Sequence, residues 1–335
     1  MGDVLLTTPL LRALRVAHPR ARITFVTRPQ YVPLLEHNPR ITRVVGWEPR
    51  SGTAALCDSL GRDALKRFTH RLDLQDTLRS RTVRFRLGGR WTSWSKDRVA
   101  RTILIRTGRN RYRDRRPVAE RYFDAAASLG VVPDQGSLEM FLPRSATEAA
   151  DRLLAGIARQ VIALAPGASY RTKRWPLHHW IALARALIDG GNAVVVVGGD
   201  MDRPAADEIA AALESDAETP RRQDVETPSP VINATGWDLP ATAALLQKCR
   251  ALVVGDTGQM HLATAVGTPV IALFGPTVEA FGFFPYHAKA VVLEVDLPCR
   301  PCSAHGGPAC PLRHHRCLQD LQPSQVLEAL RKLPR

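Results

Sequence analysis

The chain has 335 residues, and its 45% hydrophobic and 23% charged content is that of a globular protein with a full core, not of a disordered segment. Forty-six Lys and Arg against 32 Asp and Glu leave a net charge of +14, and 40 of the 46 cations are arginine. No apolar run approaches the ~20 residues of a membrane span, and Met1-Gly2-Asp3-Val4 has neither the basic flank nor the apolar core of a signal peptide, so a cytoplasmic protein, peripheral at most to a membrane, is expected.

Helical and strand patterns alternate along the chain, which favours a parallel α/β architecture. Thr8-Pro9 opens a helix with Leu10, Leu11, Leu14 and Ala17 on one face, and His18-Pro19 ends it. Ile23–Thr27 reads as a strand, Tyr31–Glu36 as a short helix and Ile41–Val45 as a second strand. Arginines blur the periodicity from Ser51 to Arg116, where Arg71–Leu74 and Thr102–Arg106 read as strands or strand ends. Ala119–Leu129 is helical, and 143–159 looks like a crossing into a second domain. Beyond it come strand Val161–Ala165, a helix opened by Pro176, and strand Ala193–Val197, apolar enough to be buried on both faces. A helix near Pro204–Leu213 precedes a polar loop at 214–230. Strand Val231–Ala234, helix 240–249, strand Ala251–Val254, helix 258–266 and strand Val270–Phe274 follow, and Pro323 starts a last helix. Two doubly wound domains facing across a cleft are expected: 1–145, a linker at 146–159, 160–322, and a terminal helix at 323–335.

Charge divides along the same line. Residues 1–150 hold 28 cations and 14 anions, 62–116 alone 18 and five, whereas 151–335 hold 18 of each. The first half should therefore meet an anionic partner. The 62–116 segment, with Trp91 and Trp94 among its arginines, suits a nucleic-acid surface, but it carries no finger, helix-turn-helix or RNA-binding signature. A phosphorylated glycolipid or a membrane surface explains the same charge, and Trp is at home there.

Val253-Val254-Gly255-Asp256-Thr257-Gly258-Gln259-Met260-His261 runs from an apolar strand through a tight turn into a helix. Free N–H groups and the helix dipole make such a start an anion site. Gly258 would let a diphosphate approach the backbone, Thr257 would donate, and Asp256 would accept from sugar hydroxyls; the plainer reading is an Asp/Thr helix cap around a packed His261. Ala165 to Pro176 places Lys173 and Arg174 before a Pro-opened helix, at the position where doubly wound folds bind ligands. That suits a pyrophosphate leaving group, against the alternative of a solvated basic loop. Asp200-Met201-Asp202 ends the next strand; a ribose contact from Asp202 is preferred over a divalent metal, with helix capping as the simple alternative. Cys299, Cys302, Cys310 and Cys317, with His305, His314 and His315 among them, are candidates for a structural zinc site, although their spacing matches no established module. Cys57 and Cys249 read as core thiols.

Taken together, Gly2-Asp3-Val4-Leu5-Leu6-Thr7-Thr8-Pro9, Lys173-Arg174-Trp175-Pro176, and Gly255 to His261 continuing to Phe274-Gly275-Pro276-Thr277 resemble, in order, the lipopolysaccharide heptosyltransferases of glycosyltransferase family 9. The resemblance implies a GT-B fold: an N-terminal acceptor half and a C-terminal half holding the sugar nucleotide. It implies inverting transfer of heptose from ADP-heptose to the anionic inner core of lipopolysaccharide by a monomer at the inner face of the cytoplasmic membrane. Neither an essential metal nor a cofactor nor nucleic acid is implied. Asp3 becomes the candidate general base, a weak one at a helix start. Lys173, Thr257 and Gly258 would take the ADP phosphates, Ser169 and Thr172 the phosphate loop, Asp202 the ribose and Asp256 the heptose, with Gln259, Met260 and His261 in the same donor motif. Another sugar nucleotide or acceptor, or a non-catalytic binding protein, are the alternatives. The resemblance also calls for an apolar strand ahead of Gly2. The expectation is that such a strand is encoded upstream of Met1, and that the chain starting at Met1 is poorly soluble or inactive.

Overall fold

The computed structural model describes residues 1–214 and 231–333, so the polar loop expected at 214–230 lies, past Glu214, outside the described residues. Among the described residues ten strands form: β1 Thr24–Thr27, β2 Arg43–Gly46, β3 Leu72–Asp73, β4 Thr92–Ser93, β5 Val161–Ala165, β6 Ala193–Gly198, β7 Val231–Thr235, β8 Ala251–Gly255, β9 Val270–Phe274 and β10 Ala290–Glu294. β5, β6, β8 and β9 contain no charged residue and are buried from end to end, as parallel strands covered on both faces must be. Side chains alternate between two cores. From β5, Ile162 and Leu164 join Trp180, Leu183, Ile209 and Leu330, while Ala163 and Ala165 join Leu245, Leu246 and Leu262 on the opposite face.

Strands β5 to β10 make one parallel sheet in the order β7-β6-β5-β8-β9-β10. The chain winds outward from β5 in both directions, so the topological switch point lies between β5 and β8, where Ala165 stands opposite Val254. β10 escaped the sequence reading; as an edge strand it is only half-buried, and its Ala-Val-Val-Leu-Glu run has no flanking turn signal. The Arg144–Leu153 helix, in the segment read as a crossing, packs on Leu239–Lys248, with Lys248 and Asp151 paired at 2.6 Å.

In the N-terminal half, β1 pairs with β2 and β3 with β4, both in parallel. Residues of both β1 and β3 line one cleft, and among the described residues the two pairs are separate sheets with no strand joining them. Thr102–Arg106 is not a strand: it lies in the Arg98–Thr107 helix. Ile103, Leu104 and Ile105 imitate a strand core, but only Leu104 is buried, against Tyr112 and Phe281, which is helical spacing, not alternation. Some arginines in this half are structural. Arg12 binds Asp134 at 2.5 Å and Glu139 at 3.1 Å, and the guanidinium holds the Asp134 carboxyl at about 2. Among the described residues no helix is long and apolar enough to cross a membrane.

Candidate functional site

The loops that leave β5 and β8 meet at the switch point. Gly255 makes this possible, since a Cβ there would lie 3.0 Å from the Lys173 carbonyl oxygen. Lys173 Nζ reaches 2.6 Å from Asp256 Oδ2 and donates to the Asp256 carbonyl at 3.2 Å. Thr277, in the loop after β9, donates to the same Oδ2 at 2.6 Å. Both charged side chains are nearly enclosed, 14% and 11% exposed, so the pair is well shielded from water. These side-chain contacts fall on Oδ2, and Asp256 lines the cleft.

The Gly258–Ala265 helix starts beside this pair. Thr257 occupies the cap position without capping, and its Oγ1 is buried without a partner, as is Gln259 Oε1. Buried polar atoms are nearly always hydrogen-bonded, so these orphans at a helix start suit a ligand that supplies the missing partner. His261 is enclosed one turn in, and burial pushes its pKa down to about 4, so the ring is neutral near pH 7. Across the cleft, the Gly2–Leu5 helix lies on this helix with the Gly2 α-carbon against the His261 ring. That contact sets exposed Asp3 on the cleft wall shared by Lys173, Asp256, Thr257 and Ser169. The cleft, of about 2010 Å³, continues into the N-terminal half past Trp94, Lys96 and Arg101.

Gly258 lines the cleft beside Met1, whose side chain a Cβ there would meet at 2.5 Å. Three expectations need correction. Thr172 does not face the cleft, because its hydroxyl donates to the Gly307 carbonyl at 3.1 Å and accepts from the Gly307 N–H at 2.8 Å. It fixes the Lys173 loop to the 299–317 segment, whose His315 also contacts the Thr172 carbonyl at 3.0 Å. Met260 is fully buried in the core beneath the sheet, turned away from the cleft. The four cysteines Cys299, Cys302, Cys310 and Cys317 lie near enough that, after burial, neighbouring thiols help raise the pKa values of Cys302 and Cys317, but among the described residues no three metal-ligating side chains gather to hold a metal. Cys317 is buried beside Gly275, with burial pushing its thiol up to about 11, and Cys299 lies 4.0 Å from His314. Asp202 behaves as a cap, accepting from the Gly199 N–H at 3.0 Å, and is wedged between Gly167 and Gly198 at the ends of β5 and β6. Cys249 is a core thiol as read, donating to the Leu245 carbonyl.

The family model of glycosyltransferase family 9 (heptosyltransferase) matches residues 56–311. This chain belongs to that family. Along 99% of its length the family 9 chain is 27% identical to lipooligosaccharide heptosyltransferase 2 of Haemophilus influenzae, covering 96% of that protein. The solved structure of E. coli ADP-heptose lipopolysaccharide heptosyltransferase II superposes with a TM-score of 0.73 at 27% identity, covering 99% of this chain and 95% of that one. A family 9 glycosyltransferase from Veillonella parvula shares the fold, with a TM-score of 0.76 at 23% identity over 99% and 94% of the two chains. The fold is thus the GT-B fold.

Two participants were missed in the sequence. Thr277 stood in the quoted Phe274-Gly275-Pro276-Thr277 run, and its role was legible only once β9 was known to lie next to β8. Lys96 lines the cleft over Trp94, 5.8 Å from the ring centre, and burial lowers its pKa against the opposing pull of Asp3. It was one cation among many in an unreadable stretch.

Proposed function

We propose that this chain transfers heptose from ADP-heptose to the inner core of lipopolysaccharide, working at the cytoplasmic face of the inner membrane. The observation that carries the reading is the meeting of Lys173, the Asp256–Thr277 pair and the uncapped Thr257 helix start at the switch point, with Asp3 on the same wall. The acceptor hydroxyl oxygen attacks the anomeric carbon as its bond to the diphosphate breaks, and Asp3 takes the hydroxyl proton. Negative charge gathers on the leaving ADP, where Lys173 and the helix start oppose it in a shielded site. Asp256 would accept from a heptose hydroxyl through Oδ1, while its Oδ2 keeps Lys173 in position. Asp202, in the turn after β6, is the candidate for the ribose from its capping position, and Ser169 for the phosphates. Residues 160–322 hold the donor and 1–145 the acceptor, whose carboxylates and phosphates match the basic half.

The test is release of ADP from ADP-heptose by the purified protein, with and without a deep-core lipopolysaccharide acceptor. Acceptor-dependent release with a heptosylated product supports the reading. Turnover with a different sugar nucleotide alone, or binding of ADP-heptose without turnover, overturns it.

A further inference from the structure

Two arginine-rich helices in the N-terminal half turn apolar side chains to solvent. Leu78–Leu87 buries one residue, Val83. At about 100° per residue, Leu78, Arg81 and Phe85 fall within an arc of about 60° on the side opposite Val83. Leu78 is 82% exposed and Phe85 88%. The Arg98–Thr107 helix repeats the arrangement: Leu104 is its buried residue, and Val99 (74% exposed) and Arg106 lie on the far side. The two helices border one hollow of about 790 Å³, lined by Arg81 and Phe85 from the first, Arg98 from the start of the second, and Trp91 and Lys96 between them.

Charge on this side is mostly positive; Asp97, which also lines the hollow and is partly exposed, lies 3.9 Å from Arg121. Asp73 is buried against Arg84, and Asp76 is buried between Arg81 and Arg98. Asp114 pairs with Arg116. Arg79, Arg86, Arg90 and Arg106 stay exposed, Arg106 on the same side of its helix as Val99 and Arg79 and Arg86 on the flank of theirs nearer Val83. A polyphosphate chain such as nucleic acid would use the arginines but has no use for bare Leu and Val. An anionic bilayer uses both, because arginine meets lipid phosphate while apolar tips enter the headgroup boundary.

We propose that the outward faces of the Leu78–Leu87 and Arg98–Thr107 helices form a docking surface for an anionic bilayer, with Leu78, Phe85 and Val99 inserted and the surrounding arginines on lipid phosphates. The inference rests on the reading of a membrane-borne acceptor. The hollow shares Trp91, Trp94 and Lys96 with the main cleft, whose wall carries Asp3.

The experiment is co-sedimentation of the full chain with phosphatidylglycerol/phosphatidylethanolamine vesicles and with phosphatidylcholine vesicles, with neither donor nor acceptor present. Binding is expected to be at least about tenfold tighter to the anionic vesicles and to weaken in about 0.5 M salt, where screening shortens to ~4 Å. The Leu78→Ser/Phe85→Ser/Val99→Ser variant should lose about tenfold or more of that binding, with an unchanged melting temperature because all three side chains are already in water. Equal vesicle binding by this variant overturns the proposal. So does a loss matched by an equal loss of binding to duplex DNA, which would mark a general polyanion surface. Vesicle binding needs no heptose transfer, so failure of the proposed reaction and failure of docking are separate results.

Discussion

Gly2→Ala adds one methyl group where the two halves of the site touch. The new Cβ would lie 2.6 Å from His261 Cδ2, whereas ordinary contact begins near 3.4 Å, so about 0.8 Å of space must be found. His261 is 4% exposed and boxed in by the core, and the ring cannot step aside. The Gly2–Leu5 helix must therefore lift, carrying Asp3 with it. Overpacking of this kind costs about 1–3 kcal/mol, or a fall in melting temperature of roughly 2–12 °C at ~2–4 °C per kcal/mol. Displacement of a catalytic group by about 1 Å costs on the order of 10²-fold in kcat. Initial rates of ADP release with donor and acceptor varied in turn, together with thermal melts, measure both effects. The KM for ADP-heptose should move little, because Lys173 and Asp256 stay in place. Gly2→Ala/His261→Ala should recover much of the loss by restoring room, a non-additivity expected of side chains in contact. Wild-type kcat and melting temperature in the single variant would refute the contact as the device that places Asp3.

Asp3→Asn is expected to keep ADP-heptose affinity and lower turnover by roughly 10²-fold or more, read by isothermal titration beside steady-state rates; unchanged turnover moves the base elsewhere. Lys173→Ala strands Asp256 in a shielded site and should cost about 3 kcal/mol in denaturant unfolding as well as donor binding and rate. Adding Asp256→Asn should return stability without returning rate, and recovery of both would contradict the leaving-group role. Transfer should persist in EDTA because Lys173 and the Thr257 helix start oppose the leaving-group charge; loss reversed specifically by Mg²⁺ or Mn²⁺ would reinstate an Asp200–Asp202 metal site. Burial holds the His261 pKa at about 4, below its ordinary 6.5, so in this window the unfolded chain binds the proton and the folded chain does not. Stability should therefore rise with pH between about 4 and 6.5, by at most ~1.4 kcal/mol per pH unit from this group. A His261→Leu variant with the same slope would show that other groups set it.

The C-terminal half was legible in the sequence because its strands are too apolar to be anything but covered on both faces, and its loops announce themselves with Gly, Pro and Thr. Both halves of the Lys173–Asp256 pair were named as donor groups from such loops, yet their direct contact was not foreseen, since it depends on β5 and β8 being neighbours. Thr172 and Met260 show the limit of motif reading. A motif fixes which residues occur, whereas the turn geometry decides which point at the ligand and which hold the loop. The arginine-rich stretch of the N-terminal half resisted for a physical reason: the Leu78–Leu87 and Arg98–Thr107 helices each bury a single residue, Val83 and Leu104, so no periodic stripe exists there to be read. Ile103 to Ile105 was therefore mistaken for a strand.

The unpaired edges of β1 and β3 carry a colloidal consequence. Parallel strand edges that face an open groove are templates for another extended chain. Here the groove rim bears Arg20, Arg22, Arg28, Arg67 and Arg71, so two approaching copies bring like charge against like charge before any backbone group can pair. Part of the arginine excess thus works as a kinetic guard against strand exchange between molecules. That guard is electrostatic and salt weakens it: raising ionic strength shortens its reach to a few ångströms, so concentrated protein in high salt is where self-association through these edges should first be seen by light scattering.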